Sequence, residues 1–314
     1  MHRVSRLLLS LALIFAGPTA VYATEAAFTP RELFRIPFGK GRDTLGAHID
    51  GGNFLFPRDF TMDGAGHFYI YDSNNHRIAR FSSGGKYEMG FGYPSTARQI
   101  FAHADSRQNL WLLVSDPARG MYYGVYAPNG KRLRPGIFSQ FNHFRLHPDD
   151  DYTLHVILSS EANPAFTQTF LFDEQSLLMK KENIARPPEN HHQVRASEHV
   201  YFIDQVPNGS KEDAGQVNRI TDDRHHGVAD IRGAVIYVTA QGEVYTRMGE
   251  REIEVYGVDG SLKGKVLLEG LSSACASIRF DAAGNLYELD GIPDAAGQYD
   301  ARMPGMRMME WERR

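Results

Sequence analysis

The stretch from residue 57 to residue 92 contains four short runs in which hydrophobic and polar residues alternate. The first two runs, around Phe60 and around Ile70, are separated by the sequence Asp63-Gly64-Ala65-Gly66, and polar residues or a Gly-Gly pair separate the others. Alternation with period two, interrupted by turn-forming residues, is typical of short β-strands. We therefore predict one antiparallel sheet of four strands in this stretch.

An aromatic residue of the second run recurs along the chain at intervals of 42 to 48 residues. The recurring positions are Tyr69, Trp111, Thr153 beside Tyr152, Tyr201, Tyr245 and Tyr287. Four-stranded units repeated at this period are typical of β-propellers. The predicted fold is an all-β, six-bladed β-propeller with four-stranded antiparallel blades. A β-sandwich of similar length is the alternative, although that fold does not require a regular period.

The two ends of the chain predict how the ring is closed. The last copy stops shortly after Trp311 and has no fourth strand, whereas Glu32 to Gly39 forms an extra strand that belongs to no copy. Pairing the extra strand with the last one would remove an exposed sheet edge. We therefore predict a single domain over residues 28–314, with its ring closed by an N-terminal strand.

The stretch from Pro57 to Gly85 resembles an NHL repeat. It has a strand that begins with proline, an Asp-x-x-Gly turn, a strand containing tyrosine, and the sequence Asp72-Ser73-Asn74-Asn75-His76-Arg77-Ile78, which fits Asp-x-x-Asn-x-Arg-Ile. The resemblance implies a propeller. It also implies a structural role for Arg77 in hydrogen bonds between blades.

The first 23 residues have the pattern of a secretory signal peptide. Arg3 and Arg6 precede an apolar run from Leu7 to Ala16, and Val21-Tyr22-Ala23 fits a small-x-small cleavage site. The apolar run is shorter than the roughly 20 residues that span a bilayer. We predict cleavage near Ala23 and a secreted or periplasmic protein without a membrane span; an uncleaved N-terminal anchor is the alternative.

The net charge limits the classes of binding partner, and the cysteine content limits disulfide formation. Removal of the leader takes away two arginines and no acidic residue, so the formal net charge changes from −4 to −6. An acidic protein without a basic run is a poor match for nucleic acid or for an anionic membrane surface. Cys275 is the only cysteine, which excludes an intrachain disulfide.

Polar residues lie where the first strand of each of the first four copies begins, about ten residues before the recurring aromatic position. In a propeller these strands line the central channel, and ligands bind near its mouth. The predicted ligand-binding residues are Arg58, Asp59, Gln99, Asn142, His143, His191 and His192. The corresponding positions of the last two copies are Val235 and Ser277.

His143 and His191 occupy equivalent positions in neighbouring copies. Two imidazoles converging on a channel, with Asp59 across it, would suit a transition metal such as zinc. Asp59, Asn142 and Asn190 would instead offer oxygen ligands to calcium. The alternative is that the histidines form local hydrogen bonds or face solvent.

A more distant similarity connects the chain with peptidyl-hydroxyglycine amidating lyases, which are NHL propellers that bind zinc through channel histidines. Their first-blade signature is His-Phe-Cys-x-Pro, and the matching run Asn53-Phe54-Leu55-Phe56-Pro57 keeps only Phe and Pro. Residues 97–100 also lack the His-Ser-Leu that these lyases have in the second blade. The function predicted from the sequence is therefore a monomeric binding or scaffolding module for a protein, a peptide or a small molecule. A metal-dependent lyase or hydrolase that uses the channel histidines is the alternative, with zinc or calcium as its cofactor.

Overall fold

The structure of the protein is a computed structural model. It describes residues 26–313 except for 52, 58, 139–140, 142, 149–153, 161–162, 183–190, 197–198, 207–216, 223–225, 240–241, 249–251, 269–276, 282–283 and 299–301. The predicted signal peptide, residues 1–23, thus lies outside the described residues. No helix in the described part is long and apolar enough to cross a membrane.

The first described elements are strand β1 (Ala26–Pro37) and a hairpin of β2 (His48–Asp50) and β3 (Asn53–Leu55). Four antiparallel four-stranded sheets follow, which we call blades 1 to 4. Blade 1 consists of β4 (Phe60–Met62), β5 (Phe68–Asp72), β6 (Arg77–Phe81) and β7 (Tyr87–Gly92), with a 3-10 turn at Ser73–Asn75. Blade 2 consists of β8 (Gln99–Ala104), β9 (Leu110–Asp116), β10 (Gly120–Tyr126) and β11 (Arg132–Phe138).

Blades 3 and 4 repeat this order of strands. Blade 3 consists of β12 (His143–Pro148), β13 (Leu154–Ser160), β14 (Asn163–Asp173) and β15 (Leu178–Glu182). Blade 4 consists of β16 (His191–Ala196), β17 (His199–Val206), β18 (Val217–Asp222) and β19 (Gly227–Arg232). The arrangement is that of an all-β propeller with antiparallel four-stranded blades.

The remaining strands form, together with β1, one eight-stranded sheet with two halves. The first half contains β20 (Ala234–Val238), β21 (Glu243–Met248), β22 (Glu252–Gly257) and β23 (Leu262–Leu267). The second, which we call the terminal half, has the order β24 (Ser277–Phe280), β25 (Leu286–Gly291), β26 (Gly305–Arg313) and then β1. Where the sequence predicts six separate units, the described residues thus form five large sheets. The reason is that β1 pairs in parallel with β23 at Ala26 and Ala27, which joins the two halves.

The N-terminal strand lies beside the last strand. β1 pairs antiparallel with β26 from Phe28, opposite Arg313, to Pro37, opposite Gly305. The strand begins at Ala26, earlier than the predicted start at Glu32, because Phe28 and Thr29 continue the pairing to the end of β26. β1 therefore supplies the fourth strand that the last copy lacks.

The hydrophobic core lies between the faces of consecutive sheets. Between blade 1 and the terminal half, Phe34 contacts Phe68 with 5.5 Å between ring centroids, and Phe68 contacts Tyr287 at 5.7 Å. Gly85 has a positive φ of 78°, and a Cβ there would lie 2.5 Å from the Phe34 side chain. The close packing of β1 on blade 1 therefore requires glycine at this turn.

In some of the sheets, an aspartate in the turn between the first and second strands binds the recurring aromatic residue. In blade 1, Asp63 accepts hydrogen bonds from the backbone N–H of Ala65 and of His67, both at 3.0 Å, and from the Tyr69 hydroxyl at 3.1 Å. Asp281 accepts the equivalent hydroxyl bond from Tyr287 at 3.3 Å. In these two sheets the carboxylate ties the turn to the aromatic side chain of the second strand.

The Asp-x-x-Asn-x-Arg element holds the N-terminal loop (residues 38–47), not the next blade. The Arg77 guanidinium donates to Asp72 Oδ2 at 2.8 Å and to the Thr44 carbonyl at 2.5 Å. The role between blades that the resemblance implied for Arg77 is thus wrong among the described contacts. Arg80 has that role instead, since its Nη1 donates to the Pro128 carbonyl of blade 2 at 2.6 Å.

Candidate functional site

The predicted mouth positions occupy equivalent places in the backbone. Gln99, His143 and His191 are the first residues of β8, β12 and β16, and Ser277 is the first residue of β24. Asp59 immediately precedes β4, which contacts both β8 and β24. The first strands of blade 1, blade 2 and the terminal half therefore lie next to each other and begin at the same end.

The structure describes only some of the predicted side chains. Arg58 and Asn142 lie outside the described residues. For His191 and His192 it gives the strand register, opposite Asp204 and Ile203 of β17, and not the side chains. The geometry of the candidate site therefore rests on Asp59, Gln99 and His143 and on what surrounds them.

Asp59 forms an ion pair with Arg279 of the terminal half. Arg279 Nη2 donates to Asp59 Oδ1 at 2.5 Å, and the two side chains are 42% and 46% exposed. Asp59 Oδ1 also accepts the Phe60 backbone N–H at 2.8 Å, while Arg279 Nη1 donates to the Ile278 carbonyl at 2.8 Å. The guanidinium lies 6.0 Å from the centre of the Phe60 ring, a cation–π distance. The pair thus spans two first strands with both charged groups held in place and open to solvent.

Tyr71 lies beside this pair. Its hydroxyl donates to the Ala102 carbonyl at 3.1 Å and accepts the Ala102 N–H at 2.5 Å, so it joins β5 to the first strand of blade 2. The Tyr71 N–H donates to the Asp59 carbonyl at 2.9 Å. Burial, and then the nearby Asp59 carboxylate, raise the pKa of the Tyr71 hydroxyl, so it stays protonated at neutral pH.

Gln99 connects blade 2 to blade 3. Its Oε1 accepts the Phe144 backbone N–H at 3.1 Å, directly after His143. Gln99 therefore has a structural role between blades, and its ligand-binding role stays a prediction. His143 is half-buried at the start of β12.

Sequence reasoning missed Arg279 and Tyr71. Arg279 lies two residues after Ser277, and side chains two apart on a strand point to the same face. The prediction covered only the first position of each first strand, so it did not include Arg279. Tyr71 lies on a second strand, where the alternation indicates only a partly buried residue. Its bond to blade 2 depends on how the blades pack.

The described residues contain no group of three or more His, Cys, Asp or Glu side chains that could hold a metal ion. Asp59, the carboxylate predicted to face the histidines, is bound to Arg279 instead. A guanidinium at 2.5 Å competes with a cation for the same oxygen. Oδ1 of Asp59 is therefore already engaged by Arg279. The metal site predicted at His143 and His191 stays a prediction.

Comparison with known protein families finds a match in the region of the first blade. The NHL repeat family profile matches residues 54–81. No curated protein matches the chain. Similar solved structures include a streptogramin B lyase, at 10% identity and a TM-score of 0.39, covering 91% of this chain and 98% of that one. They also include the calcium-binding protein regucalcin from Agrobacterium tumefaciens, at 15% identity and a TM-score of 0.41, covering 92% and 96%.

A third similar structure is an inactive virginiamycin B lyase from Staphylococcus aureus with quinupristin, at 10% identity and a TM-score of 0.41, covering 90% of this chain and 99% of that one. The profile match runs from β3 to the end of β6 and includes the Asp-x-x-Asn-x-Arg element that holds the N-terminal loop. The chain therefore carries an NHL repeat at its first blade, within an all-β propeller.

Proposed function

We propose that the chain is an exported, monomeric six-bladed propeller that binds a protein, peptide or small-molecule ligand at the mouth of its central channel. In this proposal the two halves of the eight-stranded sheet are the fifth and sixth blades, and β1 closes the ring. The six copies of the repeat in the sequence support this number of blades. So does the strand order of the terminal half, which repeats that of a blade with β1 in the outermost place.

The observation that carries the proposal is the half-exposed pair of Asp59 and Arg279 at the start of adjacent first strands. An exposed ion pair adds only about 0–1 kcal/mol to stability, so its contribution to folding is a weak reason for its presence. Polar groups that converge from several blades on one mouth are what a ligand needs for orientation. Gln99 and His143 begin the next two first strands and extend the same polar rim.

A thermal denaturation screen tests this proposal. Residues 24–314 are purified and heated with a panel of amino acids, short peptides and sugars, since a ligand that binds only the folded state raises the melting temperature by mass action. We expect at least one compound to raise the melting temperature of the wild type by several degrees and to have no such effect on Arg279→Ala.

The matched control is Arg219→Ala. Arg219 forms a similarly exposed ion pair with Asp230, with both side chains 51% exposed, but on the outer strands of blade 4. This variant should keep the ligand-dependent shift. A shift that is equal in both variants would place the ligand away from the Asp59–Arg279 pair and contradict the proposal.

A metal-dependent lyase or hydrolase is the second candidate, and one observation favours it. His143 and His191 are each the first residue of the first strand in neighbouring blades, so their backbones hold equivalent positions at the mouth. Neutral imidazoles are common ligands of zinc and of other transition metals. When bound, such a metal would act as a Lewis acid or activate water.

Elemental analysis tests the second candidate. For a protein purified without a His tag and without chelator, we expect about one equivalent of a transition metal per chain if His143 and His191 are ligands. The metal should be lost in His143→Ala/His191→Ala and kept in His48→Ala, which changes an exposed residue of β2. A metal-free wild type, or equal metal content in the double variant, would reject the histidine site.

A further inference from the structure

The outermost strand of blade 2 exposes cations together with large apolar side chains. Lys131, Arg132, Leu133 and Arg134 are exposed, and Ile137 is 73% exposed, which makes it the most exposed large hydrophobic side chain among the described residues. We call these five residues the basic edge. In a chain with a net charge of −4, three cations within four positions form a local reversal of charge.

Several cations on or beside the other outer strands form ion pairs. Lys265 pairs with Glu252 and Glu254, Lys180 with Asp173, and Arg219 of the neighbouring β18 with Asp230 of β19. In the part of the chain that the structure describes, none of Lys131, Arg132 and Arg134 forms an ion pair.

The sequence of the neighbouring strand gives the reason. β10 reads Gly-Met-Tyr-Tyr-Gly-Val-Tyr and offers no carboxylate to the strand beside it. No residue of β10 can therefore form an ion pair with the cations of β11.

The apolar part of the edge lies against an aromatic residue. Ile137 is paired with Tyr122 of β10, and Tyr122 interacts electrostatically with Arg132. Tyrosine and arginine beside an exposed aliphatic residue are the residue types enriched at protein interfaces. The next outer strand, β15, adds exposed Leu178, and the Tyr123 hydroxyl of blade 2 accepts the Met179 N–H at 3.4 Å.

The composition of the edge favours one kind of occupant. Three cations attract an acidic surface, whereas Leu133 and Ile137 would gain nothing from nucleic acid phosphates. Pro135 lies within β11 and has no N–H to offer an added strand, so pairing along the strand is disfavoured. We propose that the basic edge docks, through its side chains, an acidic protein segment in which carboxylates alternate with large apolar residues. This proposal is independent of the ligand site at the channel mouth.

Fluorescence polarisation with a defined probe tests it. The probe is a short fluorescein-labelled peptide in which Glu and Leu alternate, and a second peptide carries Lys in place of Glu. We expect the Glu peptide to bind the wild type and to bind Arg132→Glu/Arg134→Glu about tenfold more weakly, because reversed charges repel it. Binding should also weaken as salt is raised, and Ile137→Ser should weaken it at constant charge.

The control variant is Lys86→Glu/Lys263→Glu, which makes the same change in net charge at exposed positions of blade 1 and of β23. It should bind the Glu peptide within about twofold of the wild type. Three results would overturn the proposal. These are an equal loss in both double variants, equal binding of the Lys peptide, or binding to anionic phospholipid vesicles in place of the Glu peptide.

Discussion

Replacement of Asp72 by alanine is expected to lower the free energy of unfolding by about 3–5 kcal/mol, because it leaves the largely buried guanidinium of Arg77 without its carboxylate. Asp72 is fully buried. Its Oδ1 accepts the Gly46 N–H at 2.7 Å, and its Oδ2 accepts Asn75 Nδ2 and Arg77 Nε, both at 2.8 Å. Urea denaturation followed by circular dichroism measures the loss.

The matched comparison is Asp230→Ala, which removes the carboxylate of an ion pair in which both side chains are 51% exposed. Such a pair contributes about 0–1 kcal/mol, so this variant should be close to the wild type. Hydrogen exchange adds a local readout, since the Gly46 N–H should exchange faster in Asp72→Ala. If the two variants lost equal stability, or if exchange at Gly46 were unchanged, Asp72 would not be what holds the N-terminal loop.

The element around Asp72 shows what a motif in a sequence can and cannot predict. The spacing of Asp72, Asn75 and Arg77 identified a structural element correctly, because these residue types favour a tight turn with side-chain hydrogen bonds. It did not identify the partner. Asn74 Nδ2 donates to the carbonyls of Gly46 and Leu55, which lie 28 and 19 residues away in a region without alternation. Only packing brings that loop to the turn.

The sequence predicted the strands better than it predicted the residues of the candidate site. Alternation, turn residues and the recurring aromatic position predict the four-stranded blades and the place where each first strand begins, because both follow from local geometry. The ion pair of Asp59 with Arg279 joins residues 220 positions apart. No local rule connects them, since the pairing exists only where the ends of the chain meet. The joining of the last two units into one sheet depends on the same meeting, through β1.

Asp105, the equivalent of Asp63 in blade 2, is the second residue at which we expect a large effect on stability. Asp105 is 2% exposed and accepts four hydrogen bonds, from the backbone N–H groups of Arg107 and Asn109, from Asn109 Nδ2, and from Trp111 Nε1 at 2.9 Å. We expect Asp105→Ala to lower the free energy of unfolding by about 3 kcal/mol or more, because each buried donor left unpaired costs about 1–3 kcal/mol. Thermal or urea denaturation followed by circular dichroism measures it.

Asp259→Ala is the control for Asp105→Ala. Asp259 also lies in a hairpin turn and accepts the Ser261 N–H at 3.0 Å, but it is exposed, so water replaces the lost acceptor and the cost should be about 0.5–1 kcal/mol. Trp111 itself is buried between blades 2 and 3, with its ring 5.0 Å from Phe172. A large loss in Asp105→Ala alone would show that the buried carboxylate fixes the aromatic residue of blade 2. Equal small losses would mean that packing of the ring against the next blade suffices, and the recurring aromatic position would then reflect the core and not the turn.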